Sequence, residues 1–182
     1  MIRGRMADPN QGVATQSDQR PTLVLIVYCW DMLLGILAVF GALAAMGGQV
    51  GVGARLVTVP LPLQILDALS SAAYAALLIM VASLLTRPQR WIRQLQIVTM
   101  AVAIALVALS LLFAGLTGGL ATVPLLVSLL FVLLDVLAIL VMTERRIARW
   151  YVEAGGIPRY AVGTLVFWAV SSVALLIVEA LV

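Results

Sequence analysis

The chain has 182 residues, 64% of them hydrophobic and 10% charged, with a formal net charge of +3 and a mean hydropathy of +1.16. Soluble domains carry about 25% charged and about 45–50% apolar residues, so a water-soluble fold of this size cannot hide so much apolar surface, and a polytopic membrane protein remains. Histidine and lysine are both missing and Cys29 is the single cysteine, which excludes His-ligated haem or zinc, a His-based triad, a lysine Schiff base, a Walker A lysine and a C-x-x-C redox pair.

Residues 1–21 form a polar stretch with Asp8, Pro9, Gln11, Gln16, Ser17, Asp18 and Gln19, expected to be a disordered cytoplasmic tail. No small-residue cleavage site follows the first apolar run, so the tail does not read as a signal peptide. Met6 is an alternative start to Met1.

Five apolar runs follow, at about 23–46, 63–85, 95–116, 122–142 and 160–181. Each is long enough as a helix to span the ~30 Å hydrocarbon core. Lipid offers the backbone no hydrogen-bond partners, so helix is required, and the period-two alternation of a barrel is lacking. The fold class predicted is an all-α bundle of five transmembrane helices in a single domain, residues 22–182. Arg87-Pro88-Gln89-Arg90 and Gly118-Gly119 mark tight hairpin turns. The first four helices are expected to form two antiparallel hairpins, with the fifth appended through an arginine-rich segment.

The arginines set the orientation. Arg3, Arg5 and Arg20 precede the first run, Arg87, Arg90 and Arg93 lie between the second and third, and Arg145, Arg146, Arg149 and Arg159 lie between the fourth and fifth. Only Arg55 falls on the other side. The positive-inside rule then predicts a cytoplasmic N-terminus and an outside C-terminus. The short, scattered arginine loops give no basic domain for nucleic acid.

The fourth helix is predicted to overrun the membrane to about residue 154, ending at Gly155-Gly156 with Pro158 as a stop. Along that extension Arg145, Arg146, Arg149, Trp150 and Tyr151 are expected to lie against headgroups, as an interfacial anchor or a partner contact. Thr58-Val59-Pro60-Leu61 and Thr122-Val123-Pro124-Leu125 open the second and fourth helices after glycine-rich loops. This is either a duplicated hairpin or two ordinary helix starts, with Thr near the N-cap and Pro in the first turn.

Acids inside the apolar runs are the candidate functional residues, since each costs about 2.5–3.5 kcal/mol at a helix centre on insertion scales. Asp31 and Asp135 sit at matched depth, ~5 Å and ~4 Å from the midplane on the cytoplasmic side. No arginine lies at that depth. The pair is therefore protonated as interhelical glue, or shares a proton or binds a cation, or meets a basic group from a partner chain. Gly35, Ala38, Ala42 and Ala45 continue the Asp31 face as a small-residue seam. Asp135 shares a face with Ser128, Phe131, Ala138 and Met142. A contact between the first and fourth helices through the two acids is expected.

Nearer the outer face, Asp67 shares a stripe with Ser70, Ser71 and Tyr74, and Glu179 shares one with Thr164, Trp168, Ser171 and Ser172. These are interfacial residues reaching water or Arg55, or else the lining of an outward-facing polar cavity. Cys29 is expected to be a buried, unreactive thiol. Gly51 and Gly53 are assigned to a flexible outer loop.

No D-x-x-D, G-x-S-x-G or H-E-x-x-H signature is present. No catalytic residue, cofactor or metal is therefore expected. The arginine-only loops and the Leu, Val and Ala bias resemble small multi-pass proteins of GC-rich bacteria, a resemblance of style that carries no motif. It implies the bacterial cytoplasmic (inner) membrane. The functional reading is a non-catalytic accessory or scaffold subunit, partnered by the bilayer and by a larger membrane complex or further copies of itself. The alternative is a small transporter or proton-linked carrier working through Asp31 and Asp135.

Overall fold

A computed structural model describes residues 22–48, 50–52, 55–57, 60–116 and 122–181, with backbone alone for 50–52, 55–57 and 179–181. The N-terminal tail, with Met1, Met6, Arg3, Arg5 and Arg20, lies outside the described residues, as do Gly53 and Gly118-Gly119. Among the described residues, six helices occur in the order α1 (Thr22–Met46), α2 (Leu61–Leu84), α3 (Arg90–Leu116), α4 (Thr122–Thr143), α5 (Arg145–Trp150) and α6 (Arg159–Leu181). All but α5 contain a stretch long and apolar enough to cross a membrane. Between α1 and α2, strands β1 (Val50–Val52) and β2 (Arg55–Val57) form a short antiparallel hairpin in which Val50 faces Val57. Gly51 is thus paired, opposite Leu56, and is not part of an unstructured loop.

Each helix ends for a local reason. At the end of α1, Gly47 donates to the Leu43 and Ala44 carbonyls, and Gly48 (φ 80°) takes the left-handed conformation that glycine tolerates. Pro60 caps α2 without an N–H to lose, and a second proline sits in its first turn. The matching Pro124 lies within α4, two residues after its first, so the two Thr-Val-Pro-Leu segments do not occupy the same helical position. Thr58 and Val59 are outside the described residues.

The predicted continuous extension of α4 does not form. Glu144 leaves the helix (ψ 134°), α5 is a separate helix of six residues, and Tyr151 ends it, so Gly155-Gly156 is not its cap. The carbonyls at the end of α4 are satisfied without another turn: Arg93 Nε donates to Met142 O across 2.7 Å, and the Thr143 hydroxyl lies 3.0 Å from both Ile139 O and Leu140 O. The break turns Ile147 and Tyr151 into the core, each about 1% exposed.

Helices α1 and α2 pack against each other over most of their length, α3 pairs with α4, and α6 lies along α2 and α3. The small-residue seam of α1 is the surface α2 uses. Gly35 sits against Leu78 and Ile79, Gly41 against Ser71, and Ala45 is buried. Without a hydrophobic drive between helices in lipid, such close approach supplies the packing energy. The buried residues form one main cluster running from Val24 and Val27 through Leu77, Val81, Ile92 and Leu95 to Met142 and Trp168. Large apolar side chains cover the outside, including Phe40 and Leu43 on α1 and Leu126, Leu130, Leu133, Leu137 and Leu140 on α4. Water does not favour such a surface, and lipid does.

Candidate functional site

Asp31 and Asp135 are both buried, at 0% and 4% exposure. They lie within electrostatic reach of one another. Their hydrogen bonds go to other residues. Gln96 on α3 donates its Nε2 to Asp31 Oδ1 across 2.8 Å. Trp30 on α1 donates its Nε1 to Asp135 Oδ1 across 2.9 Å. The indole also sits against Phe131 with ring centroids 5.7 Å apart. Helices α1 and α4 therefore meet at Asp135, but through the neighbour of Asp31 and not through Asp31 itself.

Both donors are neutral, and no arginine among the described residues pairs with either carboxyl. Three oxygens in this region are buried and without a hydrogen-bond partner: Asp31 Oδ2, Gln96 Oε1 and Thr99 Oγ1. Gln96 and Thr99 are each 0% exposed and stand three residues apart on α3, hence on one face. Gln96, Thr99 and Trp30 escaped sequence reasoning because a search for charge passes over neutral polar side chains. The signal was present in Gln96-x-x-Thr99, a polar pair in an otherwise apolar run.

The outer polar stripes come together as a helix contact. Ser171 on α6 donates to Ser70 on α2 across 2.9 Å, and Ser70 shares a 3.1 Å bond with Ser172. One turn along, Tyr74 stacks on Trp168 with centroids 4.3 Å apart and planes at 12°. The polar cavity offered as one reading of these stripes is replaced there by an interface. Thr164 is bonded to its own helix at Tyr160 O, and Asp67 is half-buried. The side chains of Arg55 and Glu179 are outside the described residues, so their expected pairing is too.

At the arginine end, Tyr151 is not a headgroup contact. Its hydroxyl donates to Leu85 O across 2.9 Å in the core, and its ring meets Trp150 edge-on. The following segment is tied to the α2–α3 turn: Glu153 N donates to Pro88 O and Arg90 N to Glu153 O. Gly155 packs so closely on Trp91 that a Cβ would lie 2.9 Å from its ring. Arg145, Arg146 and Arg149 stay exposed. Cys29 is exposed too, correcting its expected burial. The inward face of α1 is taken by Val24, Val27, Asp31 and Leu34, and Cys29 lies off it. A cavity of about 400 Å³ opens at this end between Val24, Leu25, Tyr28, Ser83, Leu85 and Thr86. Neither acid lines it.

Among the described residues, no group of three or more acidic or cysteine side chains is placed to hold a metal. No family model, curated protein or solved structure matches the chain.

Proposed function

We propose that the protein is a non-catalytic, membrane-embedded accessory or scaffold subunit, threaded with its N-terminus and arginine end in the cytoplasm of a bacterial inner membrane. The observation that carries the reading is where the polar groups within the spans are used. Asp31 holds Gln96, Asp135 holds Trp30, Ser70 holds Ser171 and Ser172, and Arg93 closes α4. Each ties one part of the chain to another. The asset left for a partner is the outer surface, an apolar wall on α4 and exposed arginines at one end suited to anionic headgroups or an acidic partner segment.

Photo-crosslinkers placed singly at Leu130, Leu133 and Leu137 in native membranes test this. The expected result is one recurrent protein adduct, retained when the protein is purified in mild detergent. Lipid adducts alone, with a lone monomer recovered, refute it.

A second reading, a small proton-linked carrier, is favoured by the unpartnered buried oxygens of Asp31, Gln96 and Thr99. It requires a water path to that carboxyl. Transport by Asp31→Asn and Asp135→Asn proteins at the normal rate would end it.

A further inference from the structure

We infer that Asp31 is a neutral carboxylic acid whose single proton latches α1 to α3 through Gln96, which makes this contact sensitive to pH. The inference goes beyond the subunit reading and does not depend on it.

Asp31 is 0% exposed and lies within a helix long and apolar enough to cross a membrane. The bond that reaches it comes from a neutral donor, the Gln96 amide. No arginine among the described residues pairs with it, and Arg93, one turn from Gln96 on α3, donates to Met142 O on α4. The titratable groups within electrostatic reach are Asp135 on α4 and Tyr74 on α2, and neither is a cation. Arg159 and Tyr160 at the start of α6 are exposed, as is Cys29 on α1. A buried carboxylate with no counter-charge is not tenable in such a setting.

The hydrogen-bond inventory leads to the same state independently. A neutral acid and a primary amide are complementary, each offering a donor beside an acceptor. The 2.8 Å bond from Gln96 Nε2 to Asp31 Oδ1 uses one half of each group. The halves left over, Asp31 Oδ2 and Gln96 Oε1, are both buried and without a partner, as is Thr99 Oγ1. With Asp31 ionised, Oδ2 and Oε1 can only accept, and the Thr99 hydroxyl carries the one hydrogen among the three atoms. A buried acceptor then stays unmatched in company with an uncompensated charge, which folded proteins avoid. With the proton on Oδ2 the acid becomes a donor, and the hydroxyl keeps its own hydrogen for an acceptor. Loss of that proton leaves Oδ2 and Oε1 both acceptors on the bonded pair that ties α1 to α3.

The test is SDS unfolding of the full chain in mixed micelles at fixed ionic strength, followed by circular dichroism. The parent carries Asp135→Asn, which keeps the acceptor for Trp30 and removes the second acid. Between about pH 6 and about pH 8 the unfolded chain has lost the Asp31 proton and the folded chain keeps it, so stability falls as pH rises, the folding constant dropping by up to about tenfold per pH unit. Adding Asp31→Asn supplies the same acceptor with an N–H in place of the O–H. This double variant should fold and lose the pH dependence, so that its stability relative to the parent grows by the same factor. The parent's infrared spectrum at about pH 6 should show a carboxylic-acid carbonyl band that the double variant lacks and that fades as the parent loses stability with rising pH. A parent-to-variant difference that does not change with pH overturns the latch. So does a double variant that fails to fold, or a parent without the acid band. None of these outcomes bears on crosslinking to a partner, so the two readings fail separately.

Discussion

The Trp30–Asp135 bond is the most direct probe of how α1 and α4 recognise one another. Trp30→Phe keeps most of the ring that meets Phe131 but removes the only donor to Asp135 Oδ1 among the described residues, 2.9 Å away. Leaving that buried oxygen unmatched costs about 1–3 kcal/mol, or about 2–12 °C in Tm for a chain of this size. Asp135→Asn retains an Oδ1 acceptor at the same place, so its cost is expected to stay within about 0.5 kcal/mol. A double-mutant cycle between Trp30→Phe and Asp135→Leu isolates the bond from the lost ring volume. Interhelical hydrogen bonds in membranes average about 0.6 kcal/mol and reach about 1.7 kcal/mol, and the coupling here should fall in that interval. The assay is unfolding by added SDS in mixed micelles, followed by far-ultraviolet circular dichroism. A coupling below about 0.3 kcal/mol, the level at which independent sites add, would refute the contact. An Asp135→Asn cost equal to that of Trp30→Phe would show that the charge of Asp135, and not its acceptor, is being used.

Gly35→Ala places a Cβ 2.9 Å from Ile79 Cγ1 and should destabilise by about 1–3 kcal/mol through overpacking. Gly163→Ala meets nothing within 4 Å and should stabilise by about 0.5–1 kcal/mol through helix propensity; the same SDS titration reads both. Tyr151→Phe removes the buried bond to Leu85 O, and an SDS-unfolding cost of about 0.5–1.5 kcal/mol is expected, with protease cleavage near Glu153 increasing if the segment loosens. In a Cys29→Ser background, a membrane-impermeant maleimide added to intact cells should label Met46→Cys and spare Thr86→Cys, because the two positions end α1 and α2 on opposite sides of the bundle; the reverse pattern would invert the topology.

The spans were legible because lipid imposes one rule on every residue in them. A run of apolar side chains of sufficient length has to be helical, and the bounds read for α1 and α6 lie within a residue of those observed, as does the start of α4, whose expected continuation to about 154 does not form. The seam through Gly35 and Ala45 was legible for a related reason, since small residues at helical spacing have few other uses in lipid. The start of α3 was missed by five residues because Arg90 and Arg93 were read as loop charge. The Arg93 side chain instead reaches across to the last carbonyls of α4. The turn at Glu144 was invisible for the same cause: what ends α4 is a side chain from another helix, and no local breaker marks it. The partners of Asp31 and Asp135 lie 65 and 105 residues away along the chain, and no helical periodicity encodes which neutral donor a carboxyl will meet.

Polar contacts in this bundle fall mostly where chain connectivity gives least help. The α1–α2 pair is joined by a short connection and needs only a seam of small residues. Asp31 with Gln96 ties α1 to α3, Trp30 with Asp135 ties α1 to α4, and Ser70 with Ser171 ties α2 to α6. None of these pairs is consecutive in sequence. In lipid an apolar helix face gains little by choosing one apolar neighbour over another, whereas an unmatched carboxyl or hydroxyl loses several kcal/mol. Polar groups therefore discriminate between arrangements that packing alone leaves nearly equal. On this basis, replacing Asp31, Asp135 and Ser70 by leucine, leucine and alanine should leave helix content near that of the wild type. It should also scramble which helices crosslink to which. Cysteine pairs across α2 and α6 that form a single disulfide product in the parent should then give several. Retention of that single product in the triple variant would mean that the apolar surfaces alone specify the arrangement.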